Sequence, residues 1–357
     1  AEQAATRHTV SIFDQTSFAK YLVTGPDSAA TLQWLCTADV DVPIGRAVYT
    51  GMLNSAGGYE ADVTVTRLAP TQFLVVSGAA SAVRDVDWIR RKAPDGHRTE
   101  VVDVTAMYAV FGVMGPASRE LLTRLSGADL TDAAFPFATS RELRLGYATA
   151  RATRITYVGE LGWELYVPVE FAAGVYDELF NAGHLLGAAP AGYYTIDAMR
   201  LEKGYRAFGR ELVPDATPIE AGLSFTCKLA SGIDFLGRSA VERVKTAGPS
   251  RRIVSIVVGD PTAEPLAGDP AAYLWGGELL LRDGEPVGQV TSAGWGHALG
   301  APVGLAWAGS RQTGPVTPEW LRTGGYEVDV AGRRVPVTVS LRPPFDPDGV
   351  RLGRGPA

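Results

Sequence analysis

Two stretches of this chain repeat one pattern about 90 residues apart, and any fold has to accommodate both. Tyr21 to Leu35 reads as a short strand, a Gly25-Pro26 step, a serine at position 28 and an amphipathic helix. Phe111 to Leu125 reads the same way through Gly115-Pro116 and Ser118. A second pair keeps the offset. The strand Phe73 to Ser77 leads to a helix ending Val86-Asp87-Trp88-Ile89, and Glu164 to Val167 leads to one ending Asp177-Glu178-Leu179-Phe180. Each strand, turn and helix must cover an apolar face, so the spacing predicts two related α+β lobes. They are expected at about 1–105 and 106–245, intertwined, with room for a ligand between them.

After about Lys245 the helical periodicity fades. Pro/Gly-rich turns separate β-branched runs such as Ile253-Val254-Ser255-Ile256-Val257-Val258 and Val335-Pro336-Val337-Thr338-Val339. A small β-barrel over 246–345 is the economical reading, with a hairpin from Leu279 to Val290 turning at Asp283-Gly284. The tail, from Pro343 onward and outside the barrel at 346–357, is expected to be loosely held.

Composition narrows the function. Hydrophobic residues make up 46% and charged residues 20%, ordinary globular usage, and no apolar run is long enough to cross a bilayer. The net charge is -6 and the basic residues are scattered, as in Arg90-Arg91-Lys92 and Arg251-Arg252. That argues against a nucleic-acid partner. Cys36 and Cys227 sit apart among apolar neighbours without clustered histidines, the pattern of free buried thiols and of no metal site. Ala1 to His8 is polar and unlike a secretory leader, so a cytoplasmic setting is expected. The chain opens on Ala, not Met, which leaves room for a longer native polypeptide.

Three segments carry candidate chemistry. In Tyr49 to Thr66, Asn54 to Gly58 is a turn, and a strand follows with Val63 and Val65 on one face and Asp62 and Thr64 on the other. Taken alone, an Asp there is most often a turn or edge residue. In Ile155 to Tyr166, Tyr157 and Glu164 flank a Gly-containing turn, read as a hairpin that is the counterpart of the one carrying Asp62. A core aromatic and a surface Glu are the bland alternative. Ala191 to Glu211 reads as a helix over Asp197 to Glu202 with its charges satisfied locally, then a loop. The string Gly294 to Gly300 has the wrong spacing for a dinucleotide fingerprint and falls in the expected barrel.

Together with Ile12 to Phe18 and Val290 to Gly300, these segments resemble the glycine-cleavage T-protein (aminomethyltransferase) family, and most of all the folate-binding portions of dimethylglycine and sarcosine dehydrogenases and oxidases. The resemblance implies a three-lobed ring around tetrahydrofolate. It implies that Asp62 is catalytic near folate N10, that Glu164 holds the pterin, and that Tyr49, Tyr157 and Phe18 line the pocket. A carboxylate suits the pterin edge, which offers a ring N–H beside an amino group. Tyr193, Tyr194, Arg206, Arg210 and His297 are possible contacts of the donor or of the folate tail.

The implied activity is transfer of a methylene or methyl group from an N-methyl or aminomethyl small molecule to tetrahydrofolate. A flavin oxidase or dehydrogenase chain is an implied partner. Two departures stand out: Ile196 replaces an arginine of the glycine-cleavage enzyme, and the family's segment ahead of the strand at Ile12 is missing. The first puts a lipoyl-bound donor in doubt. Two alternatives stay open. One is a stand-alone folate-dependent demethylase or methyltransferase on another small molecule. The other is a non-catalytic folate-binding accessory, although the Lys-Gly-Cys-Tyr motif of such relatives is here Lys203-Gly-Tyr-Arg206.

Overall fold

The computed structural model describes residues 1–259, 273–309 and 314–353. Residues 260–272 and 310–313 of the expected barrel region and 354–357 of the tail lie outside them. The first sheet has five strands: β2 (Ala19–Thr24), β3 (Ala47–Leu53), β4 (Tyr59–Ala69), β5 (Gln72–Ser77) and β6 (Glu100–Asp103), in the order β3-β4-β5-β2-β6. The second has six: β1 (Val10–Asp14), β7 (Tyr108–Met114), β8 (Ser140–Leu145), β9 (Ala148–Thr153), β10 (Gly162–Pro168) and β11 (Ala188–Ala191). Their order is β11-β1-β7-β10-β9-β8.

Read from opposite ends, the two sheets match strand for strand: β3-β4-β5-β2 answers β8-β9-β10-β7. The next slot shows how the lobes intertwine. In the first sheet it is filled by β6, paired antiparallel to β2. In the second it is filled by β1 from the start of the chain, paired antiparallel to β7. The repeat's glycines also agree. Gly25 and Gly115 have φ of +118° and +130°, and a Cβ at either would strike a backbone carbonyl, Arg98 O or Thr9 O. Only glycine makes that strand-to-helix step without strain.

Alternation along the strands gives each sheet two apolar faces. Outward, Val63, Val65, Phe73 and Val75 pack on α2 (Ser28–Leu35) and α3 (Ala82–Lys92). Trp163, Leu165 and Val113 pack on α4 (Ser118–Ser126) and α5 (Ala172–Gly183). Inward the sheets meet each other, where Leu22, Leu68, Leu74 and Val76 of the first touch Val110 and Tyr166 of the second. Lys20 is wholly buried at this seam, donating 2.9 Å bonds to the carbonyls of Thr16 and Tyr108. Burial pushes its amine down to about 8 against the pull of Asp103 and Asp14.

The third unit is a closed six-stranded barrel of β12 (Arg252–Val258), β13 (Leu279–Arg282), β14 (Glu285–Gly296), β15 (Ala301–Ala308), β16 (Tyr326–Val330) and β17 (Arg333–Ser340). Asp283 and Gly284, both at positive φ, turn the expected hairpin. Remaining helices are α1 (Glu2–His8), α6 (Tyr193–Glu202), α7 (Arg238–Ala247) and α8 (Pro318–Thr323). The string Gly294 to Gly300 is the end of β14 and the turn into β15, as its rejection as a nucleotide loop requires.

Two expectations are corrected here. The segment from Pro343 is not loose over its described length. Lys203 Nζ pairs with Asp346 at 2.9 Å, Phe345 N donates to Glu202 O at 3.0 Å, and Arg351 Nε meets Glu160 at 2.7 Å. Short polar residues had suggested a frayed end, but buried carboxylates and a lysine recruit it. The charges of α6 are satisfied locally only in part: Arg200 Nε meets Asp197 at 2.8 Å, but Glu202 does not find its partner in the helix. Glu202, fully buried, is paired by Arg7 of α1, which also reaches Glu160 at 2.7 Å.

Arg7 is therefore the cation that Glu202 depends on and one of two that meet Glu160. Arg7→Met keeps the apolar stem, leaves Glu202 without a cation and Glu160 with Arg351 alone, and should lower the unfolding free energy by about 3 kcal/mol. Urea unfolding read by fluorescence measures this, and a midpoint equal to the parent's would show that the network carries no net stability.

Candidate functional site

The site grows from the inward faces of the two sheets. On β4, Ala61, Val63 and Val65 are buried against the helices while Asp62 and Thr64 stand on the other side, and a bulge before Ala61 turns Tyr59 to that side as well. Asp62 therefore points towards the seam. Across from it on β3 is Gly51, and the space a side chain would take there is filled by the ring of Tyr59. The Tyr49 hydroxyl, one step along β3, donates to Asp62 Oδ2 at 3.2 Å. Asn54 makes the preceding turn, its Oδ1 accepting from the amides of Ala56 and Gly58 at 2.9 and 3.1 Å.

Asp62 keeps some accessible surface although it lies deep in protein, as a side chain on a recess wall does. Burial pushes its carboxyl up to about 6. The Tyr49 hydrogen bond opposes that shift and the charge of Asp85 adds to it. Around it lie Tyr157, whose hydroxyl donates to Arg206 O at 2.7 Å, and Tyr205, stacked on Tyr157 at 5.8 Å. Tyr49 and Tyr157 are near enough that the charge of Asp62 raises both phenols further, after burial itself.

On the second sheet Glu164 occupies the equivalent side of β10, and it too faces a glycine, Gly112 of β7. It is 6% exposed. The Tyr166 hydroxyl, two residues along the strand, donates to Glu164 Oε2 at 2.6 Å. Burial raises the Glu164 carboxyl, with Tyr166 pulling the other way. Phe18 and Tyr193 stand close by, edge to face at 6.3 Å, with Tyr193 Oη 2.9 Å from Ser17 Oγ. The charge of Glu164 reaches the Tyr193 phenol.

Of the residues singled out from sequence, the structure clusters Tyr49, Tyr157 and Arg206 around Asp62, and Phe18 and Tyr193 near Glu164. The sequence-based geometric reason for Tyr157 and Glu164 is corrected. They do not flank a tight hairpin, since β9 ends at Thr153 and β10 begins at Gly162. Nor is that connection the counterpart of the Asn54 turn; it answers the one between β4 and β5. Each carboxylate stands on the inward face of its own sheet, opposite the side chains that pack on the helices. Arg206 spends its donors on the carbonyls of Ala221, at 2.8 Å, and Gly204. Tyr194 is 94% exposed, and Arg210 and His297 are also exposed. Among the described residues none of these three contacts either carboxylate.

Three groups were missed. Tyr166 was legible, because a residue two positions from Glu164 shares its face. Tyr205 and the Arg200–Glu211 pair were not. Both members of that pair are fully buried, 3.0 Å apart, and Glu211 also takes Thr291 Oγ1 at 2.6 Å and Ser292 Oγ at 2.5 Å. The pair pins the loop bearing Tyr205 and Arg206 to the barrel strand β14, a contact that only the assembled fold creates.

Comparison with known proteins fits this arrangement. Residues 1–231 match the GCVT N-terminal domain and 251–346 the glycine cleavage T-protein C-terminal barrel domain. Over 98% of its length the chain is 39% identical to 4-methylaminobutanoate oxidase (formaldehyde-forming) of Paenarthrobacter nicotinovorans and 35% identical to human mitochondrial sarcosine dehydrogenase. It spans 40% and 39% of those relatives. An aminomethyltransferase of Symbiobacterium thermophilum is 31% identical over 86% of this chain and 80% of its own. The fold is that of glycine cleavage system aminomethyltransferase T from Bartonella henselae, with a TM-score of 0.81 at 24% identity, over 97% of this chain and 89% of that one.

A carboxyl raised to about 6 from 3.8 favours the folded state when protonated. Its contribution is complete below pH 4 and is lost as pH rises through about 6. Asp62→Asn should therefore be more stable than the parent at pH 7.5, by about 2–3 kcal/mol at most, with the difference shrinking towards pH 4. Unfolding curves at several pH values read this directly; a pH-independent difference would place the Asp62 carboxyl in its ordinary range.

Proposed function

The chain belongs to the glycine-cleavage T-protein family, and from that premise we propose that it transfers a one-carbon unit from a methylamine-type donor to tetrahydrofolate held between its two lobes. The observation that carries this reading is Glu164. Among the described residues this nearly buried carboxylate has one neutral hydroxyl donor and no cation, so it is short of partners, and such groups in native proteins call for an explanation. The pterin edge, two N–H donors side by side, supplies what is missing. Gly51 and Gly112, lacking side chains, let the Tyr59 ring and the Gln15 carboxamide lie close against the sheet beside each carboxylate.

Tetrahydrofolate supplies two amine nitrogens that accept carbon at the formaldehyde oxidation level, releasing the amine and one net proton. Asp62 is the acceptor for that proton. Near pKa 6 it is mostly ionised at neutral pH and still basic enough to take a proton from a nitrogen that has just bonded carbon. Its negative charge also stabilises a cationic donor carbon in a recess where water does little screening. Tyr49 holds Asp62 Oδ2 and so fixes which way the carboxylate turns. Phe18, Tyr193 and Tyr157 supply flat apolar walls.

Relatives named for sarcosine and 4-methylaminobutanoate oxidation support N-methylated amino acids as the donor class. The chain spans about two-fifths of those proteins, so oxidation of the N-methyl group to an iminium is assigned to a flavin-bearing partner or segment. Ile196, in place of a cation, suits a small free donor over a carrier-bound one.

Calorimetry with tetrahydrofolate, followed by a trapping assay for methylene-tetrahydrofolate in the presence of a dimethylglycine- or sarcosine-oxidising flavoenzyme, tests the proposal. Asp62→Ala should lower turnover about 10²–10⁴-fold with affinity changed little. Glu164→Gln should weaken binding about tenfold or more. An Asp62 variant that turns over at the parental rate removes Asp62 from the chemistry; absence of tetrahydrofolate binding by the parent chain removes the function.

A further inference from the structure

Gln15 follows β1 directly and takes the backbone bond that continues that strand's pairing, its amide donating to Val110 O at 2.8 Å. Only 2% of it is exposed, yet its Oε1 has no hydrogen-bond partner. A carboxamide in that state is costly. Its position gives the reason. By strand alternation Gln15 shares the face of Phe13, which is paired with Gly112, and Gly112 is in turn paired with Glu164. The Gln15 carboxamide lies directly over Gly112, so that a Cβ there would collide with Oε1. Side chains directly across an antiparallel pair stand about 5 Å apart. The amide of Gln15 and the carboxylate of Glu164 are therefore neighbours on one row of the second sheet, with glycine between them.

Beside Asp62 the space over Gly51 is filled by the Tyr59 ring, whereas the space over Gly112 beside Glu164 holds an amide, which can donate and accept. The neighbouring Met114, Phe13 and Val158 are apolar and offer it nothing. We infer that Gln15 is a second polar reader of the bound heterocycle, hydrogen-bonding the ring edge next to the atoms taken by Glu164. This rests on the folate reading of the site and adds a specificity residue to it. Glu164, acceptor-only when ionised, recognises the paired N–H donors. Gln15, whose unpaired Oε1 is an acceptor, recognises a further N–H of the reduced ring, and so distinguishes it from a flat ring that offers only the pair taken by Glu164. Assigned roles follow from chemistry: a buried amide left unpaired when the ring departs is the group whose loss a wrong ligand would feel.

The experiment compares the parent with Gln15→Met, which keeps length and volume and removes both hydrogen-bonding atoms. Melting temperature and circular dichroism establish that the variant is folded, and Gln15→Leu serves as a second apolar form. Calorimetry is run with tetrahydrofolate and with tetrahydropterin, which lacks the tail. The expected result is a loss of about 10–100-fold in affinity for both ligands by the same factor, placing the effect at the ring. Parental affinity in both apolar variants overturns the inference and leaves the folate reading standing. A loss seen with tetrahydrofolate and absent with tetrahydropterin also overturns it, since it would move Gln15 to the tail. A parent chain that binds neither ligand overturns the folate reading and this inference with it.

Discussion

Two carboxylates stand on the facing sides of two related sheets, and among the described residues neither is met by a cation. Each looks across its sheet at a glycine, and each is held by one tyrosine hydroxyl. Burial works against both charges, as the upward shift of both carboxyls records. Such an arrangement survives only if the surrounding structure leaves the side chains no easier place to go. The molecule can be read as the framework that enforces it.

That framework spends its cations away from the site. Arg7 joins the first helix to Glu202 and Glu160, Arg351 returns from the C-terminal segment to Glu160, and Lys203 holds Asp346. Arg200 and Glu211 pin the aromatic loop to the barrel. Paired at hydrogen-bonding distance, these charges add geometric definition where plain apolar packing would allow sliding. The guanidinium groups nearest the acids are committed to backbone carbonyls or to other carboxylates, which keeps Asp62 and Glu164 electrostatically unmatched. In the proposed function, a cationic donor carbon and the donor-rich edge of a reduced pterin would be the complement to that imbalance.

Local physics made much of this legible in the chain. The Gly25-Pro26 and Gly115-Pro116 steps exposed the duplication because positive φ leaves glycine as the unstrained choice. Alternation along β4 put Asp62 opposite Val63, and the Asp283-Gly284 turn and β-branched runs gave the barrel. Where the reading failed, distance in sequence was the cause. A polar tail with proline and glycine looks free until Glu160 and Lys203 are brought beside it. Charges spaced along α6 look mutually satisfied until Arg7 arrives from nearly 200 residues away. The hairpin drawn around Tyr157 and Glu164 does not form, since β9 ends at Thr153 and β10 begins at Gly162, and the two side chains fall in different clusters.

What the sequence determined by itself was periodicity, turn chemistry and the family pattern, hence two repeated lobes, a barrel and a short set of acids and aromatics. These are properties of neighbours along the chain, and residue type settles them. Only the tertiary structure decided that β1 completes the second sheet, that the sheets meet on their polar-bearing faces, and that Gln15 lies over Gly112 beside Glu164. Those are pairings between residues about 100 to 150 positions apart, set by which apolar faces bury against which, and no local preference specifies them.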